Sequence, residues 1–406
     1  MISRTRLLFL GASALVAGTR LAGQAPRESP EARVARVLDS TPLIDGHNDF
    51  LFKVWNRHWT ADSFDFSRPM ADFMSDLPRL RRGRVGAQFW AVHVPVQPEF
   101  PHPFSSAQPQ LALFREMARR YPDFVPALTA DDIVRLSKQG KVASLLGIES
   151  GHIIENSIAN LRTLYAAGAR YMTLTHWRNT EWADASTDKP VHRGLTRHGE
   201  AIVREMNRLG MMVDLSHVSD LTMRHALRVS RAPVIFSHSS IRHFSDHPRN
   251  VPDDILREVG KKGGLVMINF DAWFIHQPTK DWYGARDRIA PNFDPNRRLM
   301  GDSAMATDSI TRWEKAHPVP LPTIAQVADH FDYVRRMIGA EHVGFGSDFD
   351  GTDYNPIGLD DVGAFPAVLV ELARRGWSDR ELAMVAGGNL LRVMRQVEQV
   401  AAAMKR

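Results

Sequence analysis

The sequence predicts an α/β protein, a single (β/α)8 TIM barrel with a long insertion after the seventh strand and helices at the C-terminus. Short apolar or β-branched runs recur eight times along the 406 residues, and amphipathic segments with helical periodicity separate them. Strands that alternate with helices indicate parallel βα units. Eight such units favour a closed barrel over an open doubly wound sheet, which usually has fewer strands. No glycine-rich phosphate-binding motif follows any run, which also weighs against a nucleotide fold.

The predicted strands and helices alternate along the chain. The strands are predicted over residues 43–45, 87–94, 142–148, 171–175, 211–215, 233–236, 264–269 and 342–345. The helices are predicted over residues 109–120, 131–139, 157–168, 200–210, 219–229, 252–262 and 323–339, followed by 362–375 and 379–400 near the C-terminus.

One stretch interrupts this alternation. Residues 271–322 lie between the seventh predicted strand and the next convincing helix, and they are rich in Trp, Arg, Asp and Pro. Loops of this length in compact domains usually have a function of their own. We therefore predict a partly helical excursion over the barrel mouth. No repeat or low-complexity linker divides the chain, so residues 26–406 are predicted to form one domain.

The N-terminal residues have the layout of a secretory signal peptide. Arg4 and Arg6 precede the apolar stretch 7–17, and small residues at 23–25 offer a cleavage site. A short membrane anchor is the alternative, but the apolar stretch is well below the length needed to span a bilayer. The sequence thus predicts a leader over residues 1–25, export to the periplasm or the extracellular space, and no stable membrane span.

Composition excludes several classes of site. The chain has no cysteine, so disulfides, thiolate nucleophiles and cysteine-ligated metals are excluded, and any metal must bind to His, Asp or Glu. The formal net charge is only +5 and the basic residues are scattered. Because nothing resembles a track for a phosphate backbone, we expect no nucleic-acid partner.

Six of the eight predicted strands end in ionisable side chains. The segments that follow or close these strands are 45–49, 147–152, 173–176, 214–217, 236–239 and 346–351. A single histidine there is commonly structural, and a single aspartate is commonly a helix cap. Because the carboxyl ends of barrel strands surround one mouth, six together predict a shared metal or catalytic site.

The residue types suggest how metal would be bound. His47 and Asp49 are two residues apart on an extended strand end, so both side chains can reach one ion. His217 and His238 come from neighbouring strands, and Glu149 stands between the two pairs in strand order, where it could bridge two ions. Imidazole and carboxylate without thiolate suit zinc, manganese or iron, and zinc is the commonest hydrolytic choice. A single-metal site with additional structural histidines is the alternative.

Six longer segments carry a resemblance to a known family. They are DGHND at 45–49, TLTH at 173–176, FSHSS at 236–240, PRNVPDD at 248–254, GFGSDFDG at 344–351 and GNLLRV at 388–393. These segments resemble, in order, those of the membrane (renal-type) dipeptidases, peptidase family M19, which are zinc peptidases of the amidohydrolase-like barrels. The resemblance runs from about residue 41 to residue 397.

The resemblance implies an activity and a cofactor. His47, Asp49, Glu149, His217 and His238 would bind two zinc ions per chain, with Glu149 bridging them. A hydroxide bridging the ions would hydrolyse the peptide bond of a dipeptide, including dipeptides with a D-residue at the C-terminal position. Family members often form homodimers, so a homodimer is a further implication, although the sequence has no interface signature for it.

The resemblance also implies roles for three other residues. His176 would contact the scissile carbonyl and stabilise the oxyanion, and Arg249 would bind the free carboxylate of the dipeptide. Asp348 would handle protons and bind the α-amino end. His152 is expected behind the ligands and His93 receives no role.

The chain also departs from the family pattern. Animal members use cysteines for disulfides and carry a C-terminal lipid anchor; this sequence has no cysteine, and we expect no such anchor. We expect selectivity to differ at Trp177 and Arg178 and in the 271–322 insertion.

Two other functions were weighed. One is a different hydrolase on the same barrel, acting on a lactone, a cyclic amide or a phosphotriester. Many such relatives bridge their metals with a carbamylated lysine, but no lysine ends any predicted strand here and Glu149 occupies that place. The other is an exported binding protein without turnover, whose mark would be a lost ligand, and all five ligands are present.

Overall fold

The computed structural model of the chain describes residues 28–289 and 308–406. The predicted leader, residues 1–25, lies outside the described residues, and so does the middle of the predicted insertion. The leader, its cleavage and export therefore stay predictions.

Eight parallel strands close into a barrel, which confirms the predicted fold class. The nine described strands are β1 (Leu43–Asp45), β2 (Val85–His93), β3 (Phe124–Pro126), β4 (Val142–Glu149), β5 (Ala169–Thr173), β6 (Met212–Asp214), β7 (Ile235–Phe236), β8 (Leu265–Ile268) and β9 (Val343–Phe345), and all of them except β3 form the barrel. The sheet runs β2-β1-β9-β8-β7-β6-β5-β4, and pairing between β2 and β4 closes the barrel. The predicted strands agree with these eight to within about two residues.

Strand β3 was not predicted. It pairs only with the first residues of β4, beside the barrel. It contains three residues, one of which is proline, so the sequence offers no alternating pattern from which to predict it.

Sixteen described α-helices surround and extend the barrel. They are α1 (Pro30–Ser40), α2 (Phe50–Asn56), α3 (Leu77–Arg82), α4 (Pro103–Arg120), α5 (Ala130–Lys138), α6 (Ile158–Ala166), α7 (Arg197–Leu209), α8 (Asp220–Val229), α9 (Asp253–Lys261), α10 (Ala272–Ile275), α11 (Gln277–Asp287), α12 (Asp308–Ala316), α13 (Ile324–Ile338), α14 (Phe365–Arg374), α15 (Asp379–Ala383) and α16 (Asn389–Met404). Seven begin after a Ser or Thr whose hydroxyl accepts a backbone N–H of the first turn.

Two predicted helices differ from those observed. Helix α4 begins at Pro103 rather than at Pro109, because proline is well tolerated in the first turn and Pro103 occupies that place. The predicted helix 379–400 is two helices, α15 and α16, joined by the π-helical segment Met384–Gly388. Helices α1 to α3 were not predicted.

The buried side chains form two clusters because residues alternate between the two faces of each strand. One cluster contains Phe89, Leu145, Tyr171 and Met267 inside the barrel, and Met394 of α16 joins it. The other packs between the strands and the surrounding helices. The core therefore fixes the strands from both faces and leaves their carboxyl ends to form the site.

The described parts of the insertion are partly helical, as predicted. Helices α10, α11 and α12 belong to it, and residues 290–307 lie outside the described residues. Trp273, Phe274 and Arg286 of this region line the same cleft as the strand-end residues, so the insertion covers the barrel mouth. Across residues 28–289 and 308–406, no helix has the length and apolarity needed to cross a bilayer.

Candidate active site

The structure places all eight predicted site residues at one end of the barrel. Each follows or ends a strand except Arg249, which comes from the segment between β7 and α9. Most line one cleft with about 730 Å³ of space not filled by protein atoms, and the others lie buried beneath it. These eight residues are His47, Asp49, Glu149, His176, His217, His238, Arg249 and Asp348.

Glu149 lies between two groups of buried side chains that could bind metal. Its Oε2 is 3.5 Å from His47 Nε2, which is 3.4 Å from Asp49 Oδ2. Its Oε1 is 3.0 Å from His217 Nε2 and 3.3 Å from His238 Nε2. In each group the ligand atoms lie within 4.8 Å of one another. One carboxylate therefore presents a different oxygen to each group, which is the arrangement a bridging ligand needs.

The buried groups fit a divalent cation. The Nε2 atom of His47 is buried without a hydrogen bond to any described residue, since only Nδ1 is bonded, to the Tyr171 hydroxyl at 2.7 Å. His217 Nε2 and His238 Nε2 lie 3.0 Å apart. Burial, together with the negative charge of Glu149, raises the pKa of Asp49. A cation would relieve each of these costs, because buried charges and lone pairs require partners.

His176 lies beside Glu149 on the cleft wall. Its Nε2 is 3.5 Å from Glu149 Oε1, and its ring centroid is 4.2 Å from that of His93. Burial and the neighbouring His93 lower the pKa of His176 well below its usual value. The ring is therefore neutral at neutral pH and can donate one hydrogen bond to an oxygen atom in the cleft.

Arg249 is a buried cation with neutral hydrogen-bond partners. It is 1% exposed, and its guanidinium donates to Ser239 Oγ and to the His238 carbonyl, each at 3.1 Å. It also stacks over Phe274, with 5.2 Å between Cζ and the ring centroid. Burial lowers the pKa of Arg249 to about 10, so it stays charged at neutral pH. No described carboxylate forms an ion pair with it, which leaves its charge available to an anionic ligand.

Asp348 is suited to proton transfer. Its Oδ2 accepts a hydrogen bond from Asn269 Nδ2 at 2.8 Å, and its Oδ1 lies 3.8 Å from His47 Nε2. Burial raises the pKa of Asp348 to about 7, and the negative charges of Asp49 and Glu149 act in the same direction. A carboxyl group that titrates near neutrality can accept and release a proton during turnover.

The structure adds residues to which the sequence reasoning gave no role. Asn269 orients Asp348 through a hydrogen bond. Its only signal in the sequence is its place at the end of the seventh predicted strand, and a search for ionisable side chains does not find an amide. His93 lies in the site, with Nδ1 3.2 Å from the Glu149 carbonyl. Gly351 packs so closely that a Cβ atom there would be 2.2 Å from Asp49 Oδ2.

His152 lies behind the ligands, where it was expected. Its Nδ1 is 2.9 Å from Ser150 Oγ, and its Nε2 is 2.9 Å from the Asn179 carbonyl. It thereby links the segments after β4 and β5. The Trp177 ring lies 6.0 Å from that of Trp273, so the two places where selectivity was expected to differ meet across the cleft.

Comparison with known proteins gives one consistent family. The family model "Membrane dipeptidase (Peptidase family M19)" matches residues 31–406. Dipeptidase 3 of Rattus norvegicus is 40% identical over 370 residues, which are 88% of this chain and 66% of the rat protein. Dipeptidase verJ of Clonostachys rogersoniana is 39% identical over 389 residues, which are 92% of this chain and 89% of that protein. The chain thus spans just under two thirds of the rat relative and most of the other.

Two solved structures share the fold. The probable dipeptidase PvdM from Pseudomonas aeruginosa has a TM-score of 0.76 at 23% identity, covering 93% of this chain and 100% of that one. A metallopeptidase from Rhodobacter sphaeroides, liganded with a phosphinate mimic of L-Ala-D-Ala, has a TM-score of 0.70 at 22% identity. That match covers 88% of this chain and 99% of that one. At these identities the likeness concerns the barrel architecture.

Proposed function

The chain belongs to the membrane dipeptidase family, peptidase family M19, a family of hydrolases, and on that premise we propose that it is a zinc dipeptidase. The observation that carries the proposal is the position of Arg249, a buried and unpaired cation in the same cleft as two ligand groups that share Glu149. A carboxylate-binding group beside a metal-ligand cluster suits a small substrate with a free C-terminus.

The ligand groups would hold two zinc ions. His47, Asp49 and Glu149 would bind one ion, and Glu149, His217 and His238 would bind the other. Such a pair of ions polarises a carbonyl group and lowers the pKa of water, so that water becomes a nucleophile near neutral pH. Nitrogen and oxygen ligands without sulfur suit zinc, although they also suit manganese and iron.

The chain's own residues would orient the dipeptide and stabilise the charge that develops. Arg249 would bind the terminal carboxylate through its two terminal nitrogens. His176 would donate a hydrogen bond to the carbonyl oxygen as negative charge grows there, an interaction that strengthens in the transition state.

Asp348 would carry the proton. The water oxygen bonds to the carbonyl carbon, its proton passes to Asp348, and Asp348 delivers that proton to the leaving nitrogen as the C–N bond breaks. The products are two amino acids. When the dipeptide is bound, Asp348 would also accept a hydrogen bond from its α-amino group.

The same arrangement would restrict substrate length. A third residue at the C-terminal end would move the carboxylate away from Arg249 and leave that buried cation unpaired. The Rhodobacter sphaeroides neighbour binds a mimic of L-Ala-D-Ala, and this supports including a D-residue at the C-terminal position. A hydrolase of neutral lactones or phosphotriesters would leave Arg249 without a role.

A turnover screen with zinc supplied tests the proposal. The panel contains L,L- and L,D-dipeptides, the same dipeptides amidated at the C-terminus, and one tripeptide, each with and without a chelator. We expect hydrolysis of free dipeptides only, and its loss with the chelator or with His217→Ala. Absence of hydrolysis across the panel, or equal rates for amidated and free dipeptides, would refute it.

A further inference from the structure

The three imidazole ligands differ in the group that contacts the nitrogen facing away from the other ligands. His47 Nδ1 contacts the Tyr171 hydroxyl at 2.7 Å, and His217 Nδ1 has no hydrogen-bond partner within the described ranges. His238 Nδ1 lies 2.7 Å from Ser237 Oγ, and Ser237 Oγ lies 2.5 Å from Asp214 Oδ2. Of the three, only His238 is thus linked to a carboxylate through its second nitrogen.

We propose that Asp214 and Ser237 are a positioning pair that holds His238 in its metal-binding tautomer. The proposal takes the metal site of the proposed function as its premise. It assigns to Asp214 an effect that passes through Ser237, since the Asp214 carboxylate contacts neither the ligand cluster nor the cleft. Groups that fix the tautomer of a ligating histidine commonly set the affinity for the metal.

The hydrogen bonds around Asp214 fix the direction of each proton. Oδ1 accepts the backbone N–H groups of Ser216 at 3.1 Å and Ser237 at 2.8 Å. Oδ2 accepts the Thr173 hydroxyl at 2.6 Å and the Ser237 hydroxyl at 2.5 Å. Four donors use the carboxylate oxygens fully, and a carboxylate can only accept. The single hydroxyl proton of Ser237 is therefore committed to Asp214.

The tautomer of His238 follows from that commitment. Since the Ser237 proton points to Asp214, the Ser237 oxygen can only accept from His238, so the ring proton must sit on Nδ1. The Nε2 lone pair then faces Glu149 Oε1, 3.3 Å away, where the ligand group gathers. The alternative hydroxyl contact, Ser237 to Ser216 Oγ, is longer at 3.4 Å.

The barrel contains a second pair of the same construction. Asp45, at the end of β1, accepts the backbone N–H and the hydroxyl of Ser347, each at 2.7 Å. Asp214, at the end of β6, likewise accepts the backbone N–H and the hydroxyl of Ser237. In each case the serine directly precedes a site residue, His238 or Asp348. A strand-end aspartate that binds a serine at two points fixes the backbone from which the next side chain projects.

The substitution Asp214→Asn reverses the hydrogen bonds while it preserves the shape of the side chain. The amide oxygen can still accept the two backbone N–H groups, but the amide nitrogen would now donate to Ser237 Oγ. The Ser237 hydroxyl would then donate to His238 Nδ1, which moves the ring proton to Nε2 and blocks that ligand atom. We expect one zinc site to weaken and the His47–Asp49 site to be retained.

The test measures metal binding and the tautomer, and it uses no substrate. Zinc is titrated into chelator-stripped protein against a chromophoric competitor, and the ring nitrogens of His238 are read by NMR with ¹⁵N-labelled histidine, assigned by His238→Asn. For Asp214→Asn we expect a loss of about 10- to 100-fold in the affinity of one site. The zinc affinity of the other site should stay within about threefold of wild type, and the ring proton of His238 should move from Nδ1 to Nε2.

Two further variants keep the test decisive if Asp214→Asn does not fold. Ser237→Ala removes the acceptor of the His238 proton, and about a tenfold weaker single site is expected. Ser144→Ala is the matched control, since Ser144 is a wholly buried strand residue whose hydroxyl donates to its own strand, at the Val142 carbonyl. Wild-type zinc affinity in Ser237→Ala would overturn the proposal by itself, and so would wild-type zinc affinity, or a proton still on Nδ1, in a folded Asp214→Asn. Failure of wild-type protein to cleave dipeptides would instead refute the proposed function alone.

Discussion

Substitution of Gly351 by alanine is expected to abolish most turnover without unfolding the protein. A Cβ atom at this position would lie 2.2 Å from Asp49 Oδ2, and real Cβ atoms essentially never approach a heavy atom below 3.0 Å. The nearest atoms belong to the carboxylates of Asp49 and Asp348 rather than to backbone, so the side chains can move instead of the chain. The Asp49 carboxylate would have to retreat by roughly 1 Å.

The size of the effect follows from that displacement. A misplacement of about 1 Å at a reacting centre costs on the order of 100-fold in rate, and we expect kcat/KM for dipeptides to fall by about that factor. Zinc affinity at the proposed His47–Asp49 site should weaken as well, because Asp49 is one of the three candidate ligands of that site. The free energy of unfolding of the zinc-free protein should change by less than about 1 kcal/mol, since no buried apolar group is lost.

The assay combines dipeptide kinetics, zinc titration and thermal unfolding of the zinc-free protein. Gly284→Ala is the matched control, because the nearest atom to its added Cβ is Arg288 Nη1 at 3.9 Å and alanine suits the interior of α11. We expect wild-type kinetics from it. If Gly351→Ala kept kcat/KM and zinc affinity within about threefold of wild type, the steric reasoning would be wrong. A large drop in the melting temperature of the zinc-free variant would show that the backbone had moved instead.

Three other predictions address substrate binding and stability. Arg249→Lys should raise KM for dipeptides by roughly 30-fold with little change in kcat, because lysine lacks the two-pronged donor; an unchanged KM would contradict this. Trp273→Ala should lower kcat/KM for dipeptides with large apolar side chains by about tenfold more than for Gly-Gly, and equal losses would argue against an aromatic wall. His330 is buried, accepts from the Ile241 N–H, donates to the Ile275 carbonyl, and has its pKa lowered by burial to about 4. The unfolded ring binds a proton near pH 6.5, so the contribution of His330 to the free energy of unfolding is fully present above that pH. This contribution is lost as the pH falls towards 4, and the loss is about 2 kcal/mol at pH 5. Urea unfolding measures the free energy of unfolding of wild type and of His330→Gln at pH 7.5 and at pH 5. The difference between the two proteins should change by about 2 kcal/mol between these pH values, and a constant difference would refute the prediction.

Much of the site could be predicted because its ligands are tied to strand ends. His47, Asp49, Glu149, His217 and His238 each end or follow a β-strand, and a closed parallel barrel brings all such ends to one mouth. The periodicity of the chain is a local property, so the sequence alone predicts the order of the barrel strands along the chain and the set of candidate ligands. The resemblance to one family then supplied the roles that residue types leave open.

Other parts of the site depend on distances that no local pattern encodes. Arg249 comes from a connecting segment, and only the packing of that segment buries its guanidinium beside Ser239 and Phe274. Gly351 is required because the folded chain places its Cα against Asp49. Asn269 is required because its amide donates to Asp348 from the end of the neighbouring strand β8. The contacts of Gly351 and Asn269 join residues far apart in sequence, and those of Arg249 depend on how one connecting segment folds back on the barrel.

The sequence by itself determined the barrel fold, the absence of thiolate chemistry and the identity of the five candidate ligands. Strand periodicity and residue type are local properties of the sequence, so they can be recognised without the folded structure. The tertiary structure decided which oxygen of Glu149 faces which ligand group, which side chain contacts the Nδ1 atom of His238, and which buried cation of the cleft lacks a described carboxylate partner. These properties depend on hydrogen-bond direction and burial. Both arise only when segments distant in the chain pack against one another and exclude water.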